Sequence, residues 1–159
     1  MIITLRDDEI KQAEEYAKQW TTVKYGYPRL YNMEAERLLP ETINGIKYEM
    51  VAAKALGVPY TGGDEEKRSG FDVGGKYEVR GTEYPNGSLI LHPDDKEAPY
   101  ILVTGTGNLY YVRGWILASE GKQKKWWRDI QIRHPAYFVP QNALHDIDTL
   151  LKGGENKNG

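Results

Sequence analysis

Cysteine is absent from the 159 residues, which excludes disulfides and thiolate metal sites and fits a reducing, intracellular compartment. Long apolar runs are absent too. No stretch reaches the roughly 18 residues that a membrane helix requires, so no membrane partner is expected. The opening MIITLRDDEI lacks a basic n-region and does not read as a secretory signal. Positive charge is not in excess: a net charge of −2 argues against bulk electrostatic coating of nucleic acid and leaves open only a local basic face. There is no internal repeat. One domain over residues 1–152 with a disordered tail over 153–159 is the expectation.

What is present is ordinary for a globular chain, with 40% hydrophobic and 28% charged residues. Met1 to Leu5 reads as a short strand or an arm. Asp7 or Asp8 would cap a helix from residue 8 to about 22, whose Ile10, Ala13, Ala17 and Trp20 recur at helical spacing. KYGYPRLYN reads as a loop and Asn32 to Leu39 as a short helix ended by Pro40, with Glu34, Glu36 and Arg37 as surface charge. A second helix follows over residues 44–57, closed by Gly57. Polar, Gly-rich residues 58–70 form a candidate mobile flap. Strands are expected over 88–92, 100–104 (central, from its apolar run) and 109–118, the last interrupted by Arg113. Residues 135–140 make a final strand or extended segment, and Leu144, Ile147 and Leu151 mark a closing helix over 142–152. The GTGN turn before Leu109 is no phosphate loop, because a strand follows it where a helix N-terminus would be needed. His92 reads as a strand-end residue. Asp94-Asp95-Lys96, just past that strand, could line the same site as the acids of residues 71–82.

Residues 71–82, FDVGGKYEVRGT, carry the densest chemistry. Two short alternating runs flank a Gly pair, the pattern of a β-hairpin. With a three-residue loop of Gly74, Gly75 and Lys76, Val73 pairs with Tyr77 and Asp72 with Glu78. The two acids then share one face, roughly 5 Å apart, and Arg80 lies on the same face. A two-residue loop would instead put the acids on opposite faces. Two carboxylates that close repel unless a proton or cation sits between them, and oxygen ligands of this kind suit Mg²⁺ or Mn²⁺. Both acids could equally decorate a solvated face.

In the helix over 44–57, at about 100° per residue from Ile46, Met50, Ala53 and Leu56 define an apolar stripe. Glu49 falls inside it, whereas Lys47 and Lys54 fall on the far side. A carboxylate among core-facing residues is costly unless a partner meets it, and the neighbouring alanines would leave room for one. The alternative is a Glu at the stripe's edge that reaches water. Further on, KQKKWWRDIQIRH sets Lys122, Lys124, Lys125, Arg128 and Arg133 around Trp126 and Trp127, against the single acid Asp129. Cationic side chains supply phosphate contacts and indole faces supply stacking. A solvated loop with one Trp plugging the core is the other reading.

A helix bearing Glu49, an Asp72 in GFDVGG, and Glu78 with Arg80 in YEVR together resemble the PD-(D/E)XK phosphodiesterase superfamily, whose pattern is a helical Glu, a strand Asp and an acid-x-Lys triplet. YILVTG and YYVRGWI look like later strands of its small phage-type members. The resemblance implies an α/β (α+β) fold with a restriction-endonuclease-like core, a mixed sheet flanked by helices, and Mg²⁺- or Mn²⁺-dependent cleavage of nucleic acid, DNA foremost. It implies Asp72 and Glu78 as metal ligands, Glu49 as a ligand or outer acid, the Val79 carbonyl as a backbone ligand, and Arg80 as a clamp on the scissile phosphate. The segment 122–134 would hold the backbone. A homodimer cutting both strands is compatible with it.

Two departures stand out. The triplet's lysine is Arg80, which stays protonated and cannot serve as a base. Only residues 93–99 separate two strands that the family joins through a helix, so either that helix is vestigial or the strand order differs. A catalytically silent nucleic-acid-binding domain and a structural or protein-interaction module using the Trp-rich loop are the two rival expectations.

Overall fold

The structure, a computed structural model, describes residues 1–25, 28–62, 70, 72–129 and 133–151, with side chains given outside 21–36. The expected flap tip at 63–69, Phe71 of the hairpin, residues 130–132 of the basic segment, the side chains of Glu34 and Glu36, and the tail from residue 152 lie outside the described residues.

Helix α1 (Asp7–Tyr25) opens with Asp7, Asp8 and Glu9, acids that complement the positive helix terminus. Both aspartates lie inside the first turn rather than capping it. Glu9 caps instead, its Oε1 accepting the Arg6 N–H at 2.9 Å. Ala13 and Ala17 are completely buried, and their small size lets α2 (Pro28–Leu56) lie close alongside.

α2 corrects two expectations at once. Pro28 to Asn32, read as loop, begins the helix, with proline at the first position where its missing N–H is harmless. The helix then runs on through Pro40 instead of stopping there. An internal proline costs a helix about 3 kcal/mol. Leu39 and Ile43 on either side pack against the core and offset that cost, while Thr42 Oγ1 donates to the Leu38 carbonyl at 3.0 Å. At the far end Gly57 adopts φ 72°, its N–H meets the Lys54 carbonyl, and Val58 N–H meets that of Ala53. This doubly bonded glycine stop is the expected one.

Five residues of β2 (Glu78–Thr82) run parallel to β4 (Pro99–Thr106), which pairs antiparallel with β5 (Leu109–Leu117), which in turn pairs antiparallel with β1 (Ile2–Thr4). The order β1-β5-β4-β2 makes a mixed sheet with β2 on an open edge. A second, antiparallel sheet has the order β3-β7-β6, from β3 (Leu89–Leu91), β6 (Trp127–Arg128) and β7 (Ala136–Val139). The short link over 93–99 is thereby explained: β3 leaves the first sheet, and the parallel crossover from β2 to β4 runs through all of 83–98. No helix is needed, and the strand order is the part that differs.

The mixed sheet is covered on both faces. Val79, Ile101, Val103, Tyr110 and Val112 meet Ile46, Met50 and Ala53 of α2 on one side. Tyr100, Leu102 and Ile116 meet Leu89, Leu91 and Val139 of the second sheet on the other. β4 is buried from both sides, which is why its sequence reads as an unbroken apolar run. Opposite it, Leu102 pairs with Gly114 but Val103 with Val112. Arg113 is therefore the extra residue of a β-bulge, its Nε donating to Thr104 Oγ1 at 2.7 Å.

Two further expectations change. Lys47 is not on the far side of its helix: it is only 8% exposed, its ammonium 5.9 Å from the Tyr110 ring centre, with the aliphatic stem lying along apolar surface. The closing helix is shorter than expected, helical only over 147–151 among the described residues. His145 and Trp115 exchange backbone hydrogen bonds of 2.8 and 2.9 Å, and Gln141–Ala143 before His145 form a single 3-10 turn instead of the expected helix. Among the described residues no helix is long and apolar enough to cross a membrane.

Candidate active site at the open sheet edge

The three-residue hairpin loop forms as expected. Val73 and Tyr77 exchange hydrogen bonds of 3.1 and 3.0 Å, and Gly74 and Gly75 take φ values of 60° and 71°, which a side chain would resist. That register puts Asp72 beside Glu78, close enough for its carboxyl to raise that of Glu78 through hydrogen bonding and charge. Asp72 Oδ2 also accepts the Val79 N–H at 3.0 Å. The N–H and C=O of one strand residue point to the same side, so the Val79 carbonyl shares this open edge.

Glu78 is 8% exposed. Burial and the contact with Asp72 push its carboxyl up to about 7 from the ordinary 4.5, while Lys96 pulls the other way. The Lys96 ammonium stands 2.9 Å from Glu78 Oε1 and also meets the Gly70 carbonyl. Lys96 and Asp95 are the residues that sequence reasoning undervalued. Their signal was the charged Asp94-Asp95-Lys96 run just beyond a strand, with nothing local to say which way it folds.

Arg80 lies on the Glu78 face, since Glu78 and Arg80 neighbour Tyr100 and Leu102 of β4 in turn. Its guanidinium is committed to other partners than Asp72 and Glu78. Nη2 pairs with Asp95 Oδ2 at 3.1 Å, Nε donates to the Ile90 carbonyl at 3.3 Å, and the group lies 5.0 Å from the Tyr100 ring centre.

Glu49 is on α2, over the face of the sheet that carries Val79. It is half-buried, and its Oε2 accepts the Tyr60 hydroxyl at 3.0 Å. Together with Glu41, Asn44, Tyr48 and the β2 backbone at Val79, Arg80 and Gly81 it lines a cleft of about 330 Å³. Tyr48 lies so close over Gly81 that a Cβ there would fall 2.0 Å from the ring. Two of the three expected acids are thus in contact, and the third flanks the same strand from its other face. Among the described residues no three His, Asp or Glu side chains stand together as a metal-holding group.

The basic segment is divided between structure and surface. Lys122 Nζ donates to the carbonyls of Pro93 at 3.0 Å and Asp95 at 2.6 Å, bracing the loop that carries Lys96. Trp126 packs on the second core, and Trp127 sets its ring edge on Tyr137. Lys124, Lys125, Arg128 and Arg133 are exposed, Lys125 lying over Trp126 and Arg128 over Phe138. Comparison of the chain with protein-family models, curated proteins and solved structures finds no match.

Proposed function

We propose that the protein is a metal-dependent nuclease, hydrolysing phosphodiester bonds of nucleic acid, DNA foremost, on a restriction-endonuclease-like core. The observation that carries this reading is the pair of neighbouring carboxylates, Asp72 and Glu78, at the edge strand of a mixed sheet, with an ammonium against one of them. Such a donor set fits a hard divalent cation, which takes one or two protein carboxylates and keeps several waters. When bound, Mg²⁺ or Mn²⁺ supplies charge stabilisation and lowers the pKa of water.

The chain's own residues do the rest. Asp72 and Glu78 hold the ion, with the Val79 carbonyl beside them and Glu49 flanking. Arg80, always protonated and held by Asp95, contributes a fixed positive charge against the charge that develops on a phosphate. Lys124, Lys125, Arg128 and Arg133, all exposed, offer contacts to the phosphate backbone.

The test is cleavage of linear and branched DNA and of RNA with Mg²⁺, Mn²⁺ or chelator. Asp72→Asn keeps an acceptor for the Val79 N–H while removing the charge, so a folded variant with cleavage reduced at least 10²-fold is expected. Undiminished cleavage by Asp72→Asn removes the mechanism. A second reading, a silent nucleic-acid-binding domain, is favoured by the commitment of Arg80 to Asp95 and Ile90. Equal DNA affinity in chelator and in metal, with no turnover under any divalent ion, would select it.

A further inference from the structure

We infer that Lys96 is a built-in counter-ion which a hard divalent cation displaces from Glu78 on binding. This rests on the nuclease reading of the same site. Two neighbouring carboxylates concentrate negative charge, and one ammonium at 2.9 Å balances part of it. The ammonium at Glu78 Oε1 and a dication on the same carboxylate pair repel each other, so the two compete for the site.

The geometry around Lys96 lets only its side chain move. Its carbonyl accepts the Tyr100 hydroxyl at 3.0 Å. Asp95 Oδ2 accepts the His92 N–H at 2.7 Å, and Lys122 clasps the carbonyls of Pro93 and Asp95. The loop backbone is thereby pinned from three sides. The Lys96 side chain itself is 47% exposed, so it has solvent to turn into. An ammonium on a flexible four-carbon stem suits such an exchange, whereas a planar guanidinium fork does not. Arg80 cannot take the place of Lys96, because its guanidinium is held by Asp95 at 3.1 Å.

The experiment is calorimetric titration of Mn²⁺ into wild type, Lys96→Gln and Lys76→Gln. Lys76 is an exposed lysine of the same hairpin whose ammonium lies over the Tyr77 ring, so its variant removes equal charge without touching Glu78. Lys96→Gln is expected to bind Mn²⁺ about two- to fivefold more tightly, the range set by losing one half-exposed ion pair, with Lys76→Gln close to wild type. A second readout needs no variant: acylation of Lys96 in the wild-type protein by an amine-reactive ester, followed by peptide mass spectrometry, should rise with Mn²⁺ while that of Lys76 stays level. Equal or weaker Mn²⁺ binding by Lys96→Gln, or acylation of Lys96 unchanged by metal, overturns the exchange and leaves the nuclease reading standing. No Mn²⁺ uptake by any of the three proteins removes both.

Discussion

Replacing Glu78 with Gln should make the metal-free protein more stable near neutral pH. Glu78 is buried beside Asp72, and its carboxyl is raised from 4.5 to about 7. A carboxyl raised in the folded state favours the protonated form there. Its contribution is fully present below the unfolded value of 4.5 and is lost as pH rises through about 7. The shift corresponds to a penalty of order 3 kcal/mol above that window. Glutamine has nearly the same shape and no charge, so it escapes the penalty, a figure that already includes the opposing pull of Lys96. A net gain of about 3 kcal/mol near pH 8 follows, equivalent to a rise in Tm of roughly 6–12 °C for a chain of this size. Near pH 4 both side chains are neutral, and the difference should fall within about 0.5 kcal/mol. Urea unfolding of both proteins across pH 4 to 8, in chelator, measures the difference directly and cancels the titrating groups that do not touch residue 78. A difference independent of pH, or a variant less stable than wild type near pH 8, would refute the assignment of a destabilised carboxylate to this position. The trade of stability for a charged site is what a functional centre is expected to show.

Other perturbations probe the cleft, the core and the basic surface. Gly81→Ala drives a methyl into the Tyr48 ring and should cost about 1–3 kcal/mol in chemical denaturation. Gly45→Ala, also on the cleft but with nothing within 4 Å of the added carbon, should stabilise α2 by about 0.5–1 kcal/mol. A reversal of the two signs would mean that α2 does not lie against β2 as described. Neutralising Lys124, Lys125 and Arg128 together should weaken DNA binding and lower the slope of log affinity against log salt by about 3, read by fluorescence anisotropy. An unchanged slope would place the nucleic-acid surface elsewhere.

Much of the fold and part of the site could be read from the chain alone, and the division has a physical cause. Signals acting over a few residues were legible: the acidic start of α1, the glycine stop at Gly57, the Gly74-Gly75-Lys76 loop that sets Asp72 beside Glu78, and the apolar run that buries β4 on both faces. Each depends on backbone preference or side-chain period within one element. What depends on partners far along the chain was not. Pro40 reads as a stop because the cost of a proline is local, whereas the burial of Leu39 and Ile43 that overcomes it is not. Lys47 reads as exposed because its helical angle is local, whereas the β5 surface receiving its stem is supplied from residue 110.

The candidate site divides along the same line. Hairpin register, a matter of seven consecutive residues, by itself made neighbours of Asp72 and Glu78. Only tertiary structure turned Arg80 toward Asp95, set Glu49 on the opposite face of β2, and brought Lys96 to Glu78. Those contacts follow from β3 leaving the mixed sheet, which sends the 92–98 loop back over the acids. Which sheet a three-residue strand joins is settled by the apolar surface it buries, and that surface belongs to residues 100, 102, 116 and 139 rather than to the strand.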